Sequence, residues 1–418
     1  MTQNDFEQNL QKYADLLVRV GNNVQAGERL MILPSLDDDP IIRRLVHMVV
    51  KSAYQAGAKF VKVSWRDQEL TKIRLENAPD ESFDETDEFY FHARKTITEE
   101  GGNMMFLLGD DPDLLAGQDQ SKLARMSKAS GKLFRPISLL SDQGYGTWTI
   151  GAIATQAWAD KMLPDIAKEE RVAKLWDYIF LTCRIYEDDP VEAWRVHANN
   201  LQARAEYLNK KQFTELKYTA DGTDLTIGLP DNHVWIGGGD VTNTGLDYMP
   251  NIPTEEVFTM PHKMRVNGTV KATKPLSYSG TLIDNFSVTF KDGKVVDFTA
   301  EQGADTFQSL LDMDEGSSYL GEVALAPSSS PIAKTGRLFY ETLFDENAAN
   351  HIALGNPYRT NLEGGAHMTD EDFFAAGGND SITHVDFMIG SDDMTVEGVM
   401  ADGSREVIMK NGDWAFEV

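Results

Sequence analysis

Arg29-Leu30-Met31-Ile32-Leu33-Pro34, Asp37-Asp38-Asp39-Pro40, and Lys59-Phe60-Val61-Lys62-Val63-Ser64 form the run that decides the fold class. The first and last pieces are short and apolar, the length and composition of buried strands. Between them, the acidic triplet before Pro40 marks a helix start. Proline suits an early helical position, and carboxylates suit the positive end of the helix dipole. Ile41, Leu45, Met48, Val49 and Ala53 then recur at helical spacing, and the pattern stops near Gly57. Strand, helix and strand make a β-α-β unit, which crosses almost always right-handed into a parallel sheet.

Working outward, Phe6, Leu10, Tyr13, Leu17 and Val20 fall on one face of a preceding helix. Asn103–Leu108 reads as a third buried strand, followed by the polar turn Gly109-Asp110-Asp111. Helical patterns recur at Gln118–Ser130, Gly151–Met162 and Glu170–Cys183, and Pro190–Lys211 is a long amphipathic helix. No GxGxxG or Walker-type phosphate loop follows any strand. Residues 1–210 are therefore expected to form an α/β domain with a parallel sheet, without chemistry of its own.

The texture changes after Lys211. Asp221-Gly222, Asp292-Gly293, Asp402-Gly403 and Asn411-Gly412 each separate β-favouring runs, the signature of hairpins. Residues 211–418 are expected to form a β-rich α+β domain, as a curved sheet or open barrel with a few helices.

Composition bounds the function. The 418 residues carry a net charge of −27, which argues against nucleic-acid and anionic-membrane binding, since both need clustered Lys and Arg. The single cysteine, Cys183, lies in an apolar run and reads as a small buried hydrophobe. With no intramolecular disulfide possible, it fits a reducing compartment. The opening Met1-Thr2-Gln3-Asn4-Asp5-Phe6 lacks a basic or apolar leader, and no apolar run reaches the length of a membrane span. A cytoplasmic protein is expected.

Metal-type residues collect in the second half. In Thr383-His384-Val385-Asp386-Phe387-Met388-Ile389, a buried strand on this reading, His384 and Asp386 project to one face while Val385 and Phe387 take the other. An imidazole beside a carboxylate makes two ligands for a divalent metal, or simply a surface pair on an edge strand. Glu322 interrupts the apolar strand Ser318–Leu325, and a buried carboxylate needs a partner. Asn251–Thr259 carries Glu255 and Glu256, of which alternation lets only one face a given site. Asp345–Leu354 holds Glu346 and His351, and the turn Gly355-Asn356-Pro357-Tyr358 can present a phenol. The other histidines, His47, His92, His197, His233, His262 and His367, have no comparable setting.

Together, Asn251–Thr259, Tyr319–Leu325, Asp345–Tyr358 and Thr383–Gly390 resemble, in order, spacing and flanking residues, the motifs of the thermophilic-type metallo-aminopeptidase (M29) family. The resemblance extends over essentially the whole chain. It implies metal ligands at Glu256, Glu322, His351, His384 and Asp386, a further ligand position at Glu346, and a catalytic tyrosine at Tyr358. It is also what selects Glu256 over Glu255. The implied activity is removal of the N-terminal residue from short peptides with a free amino terminus, through water activated by two divalent ions of Zn, Co or Mn. Tyr358 would donate to the oxyanion. A homodimer is implied as well, with residues 1–210 structural and dimerising and residues 211–418 catalytic. Two alternatives remain open at this point: a two-metal amidase or dipeptidase on another small substrate, and a non-enzymatic protein holding one structural metal.

Overall fold

The computed structural model describes residues 3–418; Met1 and Thr2 of the opening stretch lie outside the described residues. Four strands, β1 (Arg29–Pro34), β2 (Phe60–Val63), β3 (Asn103–Leu108) and β4 (Trp148–Ala152), form a sheet in the order β2-β1-β3-β4. All its pairings are parallel. The helix Pro40–Gln55 starts as its sequence dictates: the Asp39 carboxylate accepts from the Ile41 amide at 2.8 Å. It buries Ile42, Leu45, Val46, Val49 and Ala53. Gly57 then turns the chain with φ +102°, where a Cβ would lie 2.9 Å from the Ala26 Cα. Only glycine meets both conditions.

Two expectations need correction, and two helices lie outside the expected pattern. Gly151–Met162 is not one helix. Gly151 and Ala152 end strand β4, and the helix begins only at Gln156. The Thr155 hydroxyl accepts from the Trp158 amide at 3.3 Å and caps it. A strand covered on both faces is a short apolar run without alternation, so its period cannot be told from that of a buried helix. Two helices, Gln68–Asn77 and Glu88–Glu99, were not read at all. The first buries only Leu75 and the second only Phe91 and Thr98, leaving almost no apolar stripe to detect. The Gln118–Ser130 pattern belongs to a longer helix, Gln120–Asp142.

The second half contains two larger sheets and a two-stranded pair, Asp240–Val241 with Asp247–Tyr248. A five-stranded sheet is built from β5 (Ile236–Gly237), β6 (Val257–Thr259), β7 (Leu320–Leu325), β8 (His351–Gly355) and β9 (His384–Met388). Its order is β9-β8-β7-β6-β5, antiparallel throughout. A nine-stranded sheet contains the expected hairpins Glu215–Ala220 with Thr223–Gly228, Thr281–Lys291 with Lys294–Gln302, and Thr395–Val399 with Arg405–Lys410. At Asp292-Gly293 and Asn411-Gly412 both residues have positive φ, the geometry that right-twisted hairpins select. Val257, Val323, Leu325, Ile352, Leu354 and Phe387 of the first sheet share one core with Leu216, Leu225, Val266, Phe286, Val288 and Val396 of the second. One face of the five-stranded sheet is thereby committed to the core.

By contacts the chain groups into two compact units. The first is Met1–Gln118, Leu133–Asn199 and Gly239–Thr254, and the second is Asp119–Lys132, Asn200–Gly238 and Glu255–Val418. All the candidate site residues lie in the second unit.

Candidate metal centre

Strand register decides where each candidate ligand points. Phe258, Ala324, His351 and Met388 form one row across the sheet, and Glu322, Ala353 and Asp386 the next. His384 is paired with Gly355 one step further along. Residues directly opposite one another share a face, as do residues two apart on a strand. His351, Glu322, Asp386 and His384 thus emerge on the face opposite the core, with Glu256 joining them two residues before Phe258. Their neighbours Val323, Ile352 and Phe387 go into the core. Ala324, Ala353 and Gly355, interspersed on the ligand face, carry almost no side chain, and at Gly355 a Cβ would lie 2.1 Å from the Thr383 carbonyl oxygen.

The donor atoms converge. His351 Nε2 lies 3.0 Å from Glu256 Oε2 and 3.4 Å from Glu322 Oε1. His384 Nε2 lies 3.6 Å from Glu322 Oε2 and 3.5 Å from Asp386 Oδ1. Two groups result, Glu256–Glu322–His351 and Glu322–His384–Asp386, each with its ligand atoms within 4.8 Å of one another. Glu322 belongs to both and turns one oxygen to each. Glu256 Oε2, His351 Nε2 and Asp386 Oδ1 are buried yet make no hydrogen bond of acceptable geometry. Buried polar atoms are ordinarily paired. Atoms left facing one another across 3–3.6 Å, drawn from carboxylates and imidazoles, are a donor set that suits a divalent cation.

Outer contacts aim both histidines. Nδ1 of His384 is 2.7 Å from the Asn356 carbonyl, and Nδ1 of His351 is 3.3 Å from the Ala349 carbonyl. A ring whose Nδ1–H donates to a carbonyl presents Nε2 as the ligand atom. Asn347 organises the entry to β6: its Oδ1 accepts from the Glu255 amide at 2.7 Å, while its Nδ2 donates to the Leu343 carbonyl at 3.0 Å.

The electrostatics follow from packing these charges together. Burial and then the neighbouring carboxylates hold Glu346 well above the usual carboxylate range, and burial also raises Glu322. Burial opposes charge on His384, but Asp386 and Glu322 outweigh it and push the imidazole up to about 10. Burial opposes charge on His351 too, but the Glu256 and Glu322 carboxylates facing its Nε2 raise it well above its ordinary value. Burial likewise works against the Asp386 carboxylate, and the charge of His384 brings it down.

Five of the six expected ligands come together in the two groups; Glu346 is buried in the turn Glu346–Ala348 and stands outside both. Tyr358 is 37 % exposed at the rim, its ring 5.3 Å from that of His384 and 5.8 Å from that of Phe258. The strand carrying His384 is an edge strand, buried only from Asp386 onward, which corrects the expectation of a fully buried one. His197 and His233 turn a ring nitrogen to the carbonyls of Thr254 at 2.8 Å and Pro230 at 2.9 Å, as structural histidines do. Sequence reasoning missed Asn347 and the small residues Ala324 and Ala353. Their only signal was position in the strand register.

The chain is similar to known proteins over nearly its whole length. Residues 6–414 match the profile of the family described as thermophilic metalloprotease (M29). Aminopeptidase AmpS of Bacillus subtilis is 46 % identical over 411 residues, covering 98 % of this chain and 99 % of that protein. Aminopeptidase 2 of Geobacillus stearothermophilus is 45 % identical, covering 99 % of this chain and all of its own. The solved structure of wild-type AmpT from Thermus thermophilus superposes with a TM-score of 0.90 at 39 % identity, covering 98 % of this chain and 100 % of that one. With its parallel sheet, its β-rich second half and its convergent carboxylates and imidazoles, the chain belongs to the M29 metallo-aminopeptidase family.

Proposed function

We propose that the protein releases the N-terminal residue of short peptides by hydrolysis assisted by two divalent cations of Zn, Co or Mn. Glu256, Glu322 and His351 would hold one cation and Glu322, His384 and Asp386 the other, with Glu346 as an additional ligand beside them. The observation that carries this reading is Glu322, whose two oxygens face different histidines. Bound there, such cations supply Lewis acidity and make water nucleophilic near neutral pH.

The remaining work falls to the chain. The carboxylates accept the substrate's α-ammonium, which restricts cleavage to the first peptide bond. Tyr358, at the rim beside His384, donates a hydrogen bond to the oxyanion as it forms. Its phenol is held well above the ordinary tyrosine range, by the protein around it and then by Glu322 and Asp386, so it is a donor at neutral pH. Water adds to the carbonyl carbon, the C–N bond breaks, and the proton passes to the leaving amine through a carboxylate not fully engaged with metal, Glu255 or Glu322.

On this reading residues 1–210 are structural and dimerising, residues 211–418 catalytic, the protein a homodimer, and its compartment the cytoplasm. Cys183, the single cysteine, is buried and can form no intramolecular disulfide, which suits that compartment. Among the described residues no helix is long and apolar enough to cross a membrane. The test is a panel of amino-acid p-nitroanilides, before and after chelation and with Zn, Co or Mn restored. Turnover lost and regained with metal, and absent on N-acetylated substrates, is expected. No turnover with any metal in a folded protein would overturn the reading.

A further inference from the structure

The turn Gly355–Tyr358 serves the site at two points: the Asn356 carbonyl aims His384, and Tyr358 stands at the rim. The two points are held separately. At the first, the Asn356 amide donates to the Thr383 carbonyl at 2.7 Å, and Asn379 Nδ2 donates to the Gly355 carbonyl at 2.8 Å. The Tyr358 side chain is placed by its ring contacts with Phe258 and His384 and by the backbone that carries it. That backbone runs directly into the single helical turn Arg359–Asn361, which is tied down from both sides. Asn361 Nδ2 donates to the Val234 carbonyl at 3.1 Å and to the Phe258 carbonyl at 3.4 Å. Arg359 reaches the other way, with its side chain only 8 % exposed. Its guanidinium donates to the Met368 carbonyl at 3.0 Å, pairs with the Asp370 carboxylate and stands 4.5 Å from the centre of the Phe373 ring. The residue after Tyr358 is thereby fastened to the helix Asp370–Ala375. A buried guanidinium is costly unless paired, and apolar residues of similar volume commonly replace a buried ion pair without loss of stability. Stability alone is therefore a poor account of a charge at this place.

We propose that Arg359 is a positioning residue for the reaction: by holding the turn that follows Tyr358, it keeps the phenol where the oxyanion forms. The inference rests on the aminopeptidase reading above, in which Tyr358 is the oxyanion donor. Such a donor acts only when held within about 0.5 Å of its productive place. A turn released at Arg359 lets the Tyr358 backbone shift by more than that, and the hydrogen bond made in the transition state is lost. Asn356 keeps its own anchor at Thr383, so His384 keeps its aim. Arg359 thus acts on the phenol and leaves the metal-type residues alone.

The experiment measures kcat and KM of the Zn-loaded protein on leucine p-nitroanilide for Arg359→Ala and Asp370→Ala, each in the wild-type and Tyr358→Phe backgrounds, with bound Zn measured for every variant. Arg359→Ala is expected to lower kcat about 10- to 100-fold, the scale of a misplaced catalytic group, with KM and Zn content within about twofold of wild type. Asp370→Ala removes an exposed partner of the same guanidinium and is expected to lower kcat about threefold. In the Tyr358→Phe background both losses are expected to shrink below about twofold, because the group being positioned is gone. Equal losses in the two backgrounds, loss of Zn from Arg359→Ala, or an unchanged kcat in Arg359→Ala overturns the assignment and leaves the aminopeptidase reading intact. Should Arg359→Ala fail to fold, Asp370→Ala decides by the same comparison. A wild-type kcat in Tyr358→Phe alone overturns the oxyanion role of the phenol and this assignment with it, and a wild-type protein without turnover overturns the aminopeptidase reading itself.

Discussion

The parallel sheet of the first half and the five-stranded sheet of the second use similar residues for opposite ends. In β1, five of six residues are buried, and a strand covered on both faces spends all its positions on packing. In β7, β8 and β9 the positions alternate: Val323, Ile352 and Phe387 enter the core while Glu322, His351 and Asp386 leave it. Buried polar groups occur in both regions but are settled differently. In β3, the buried Asn103 donates from its amide nitrogen to the Glu28 carboxylate at 2.8 Å, and its Oδ1 accepts from the Thr147 hydroxyl at 2.7 Å. Around Glu322, carboxylates and imidazoles confront one another without completed hydrogen bonds. A satisfied buried polar group stabilises a fold; a set of unsatisfied donors on one face is stable only with something between them, and that is what makes it chemical.

The contrast can be broken most severely at Glu322. Loss of an outer hydrogen-bond partner to a ligand costs about 10–100-fold, so Glu322→Gln, which removes a shared ligand, is expected to lower kcat/KM by on the order of 10³ or more. Metal analysis should show both cations weakened; loss of one alone would mean that the residue is not shared. Next comes Tyr358→Phe, expected to cost about 10²–10³ in kcat, the scale of one oxyanion donor, with metal content unchanged. Unaltered kcat in the loaded protein would remove the phenol from the reaction.

The same comparison predicts changes that damage the fold and spare the chemistry. Asn103→Ala is expected to lower stability by about 1–3 kcal/mol through the lost buried hydrogen bonds. Ile352→Val, on the core side of β8 beside His351, should lower it by about 0.5–1.5 kcal/mol. In both, kcat/KM per folded molecule should stay within about twofold of wild type, checked by urea unfolding beside steady-state kinetics; a larger change for Ile352→Val would mean that the two faces of the sheet are not independent.

The smallest effect is on pH. The His384 imidazole is raised to about 10 in the metal-free protein, so its charge stabilises the fold fully below the ordinary histidine value of about 6.5. That contribution is lost as pH climbs through about 10. The Tm of metal-free protein should fall across that interval, and His384→Gln should flatten the fall. An identical slope in the variant would assign the pH dependence to other groups.

How much of this was legible in the sequence depended on the same distinction. The β-α-β unit at 29–64 could be read because a helical stripe and its Asp39–Pro40 start lie between two apolar runs. Strand β4 could not, since Gly151 and Ala152 lead through three residues into a helix and show no period of their own. In the second half, Glu322, His384 and Asp386 stood out because alternation sets polar residues against Val and Phe. Between Glu255 and Glu256 local pattern alone offered no choice. The structure answers through register: Glu256 shares a face with Phe258 and faces His351. Ala324, Ala353 and Asn347 were illegible for a different reason. An alanine set between ligand positions, or an asparagine that holds a loop, has meaning only once distant strands are side by side.

The most direct measurement is anomalous diffraction from crystals of the Zn-loaded protein at the zinc absorption edge. Two peaks are expected, one among Glu256, Glu322 and His351 and one among Glu322, His384 and Asp386, with a different Glu322 oxygen nearest each. A single peak, or peaks away from the ligand face of the five-stranded sheet, would contradict the account.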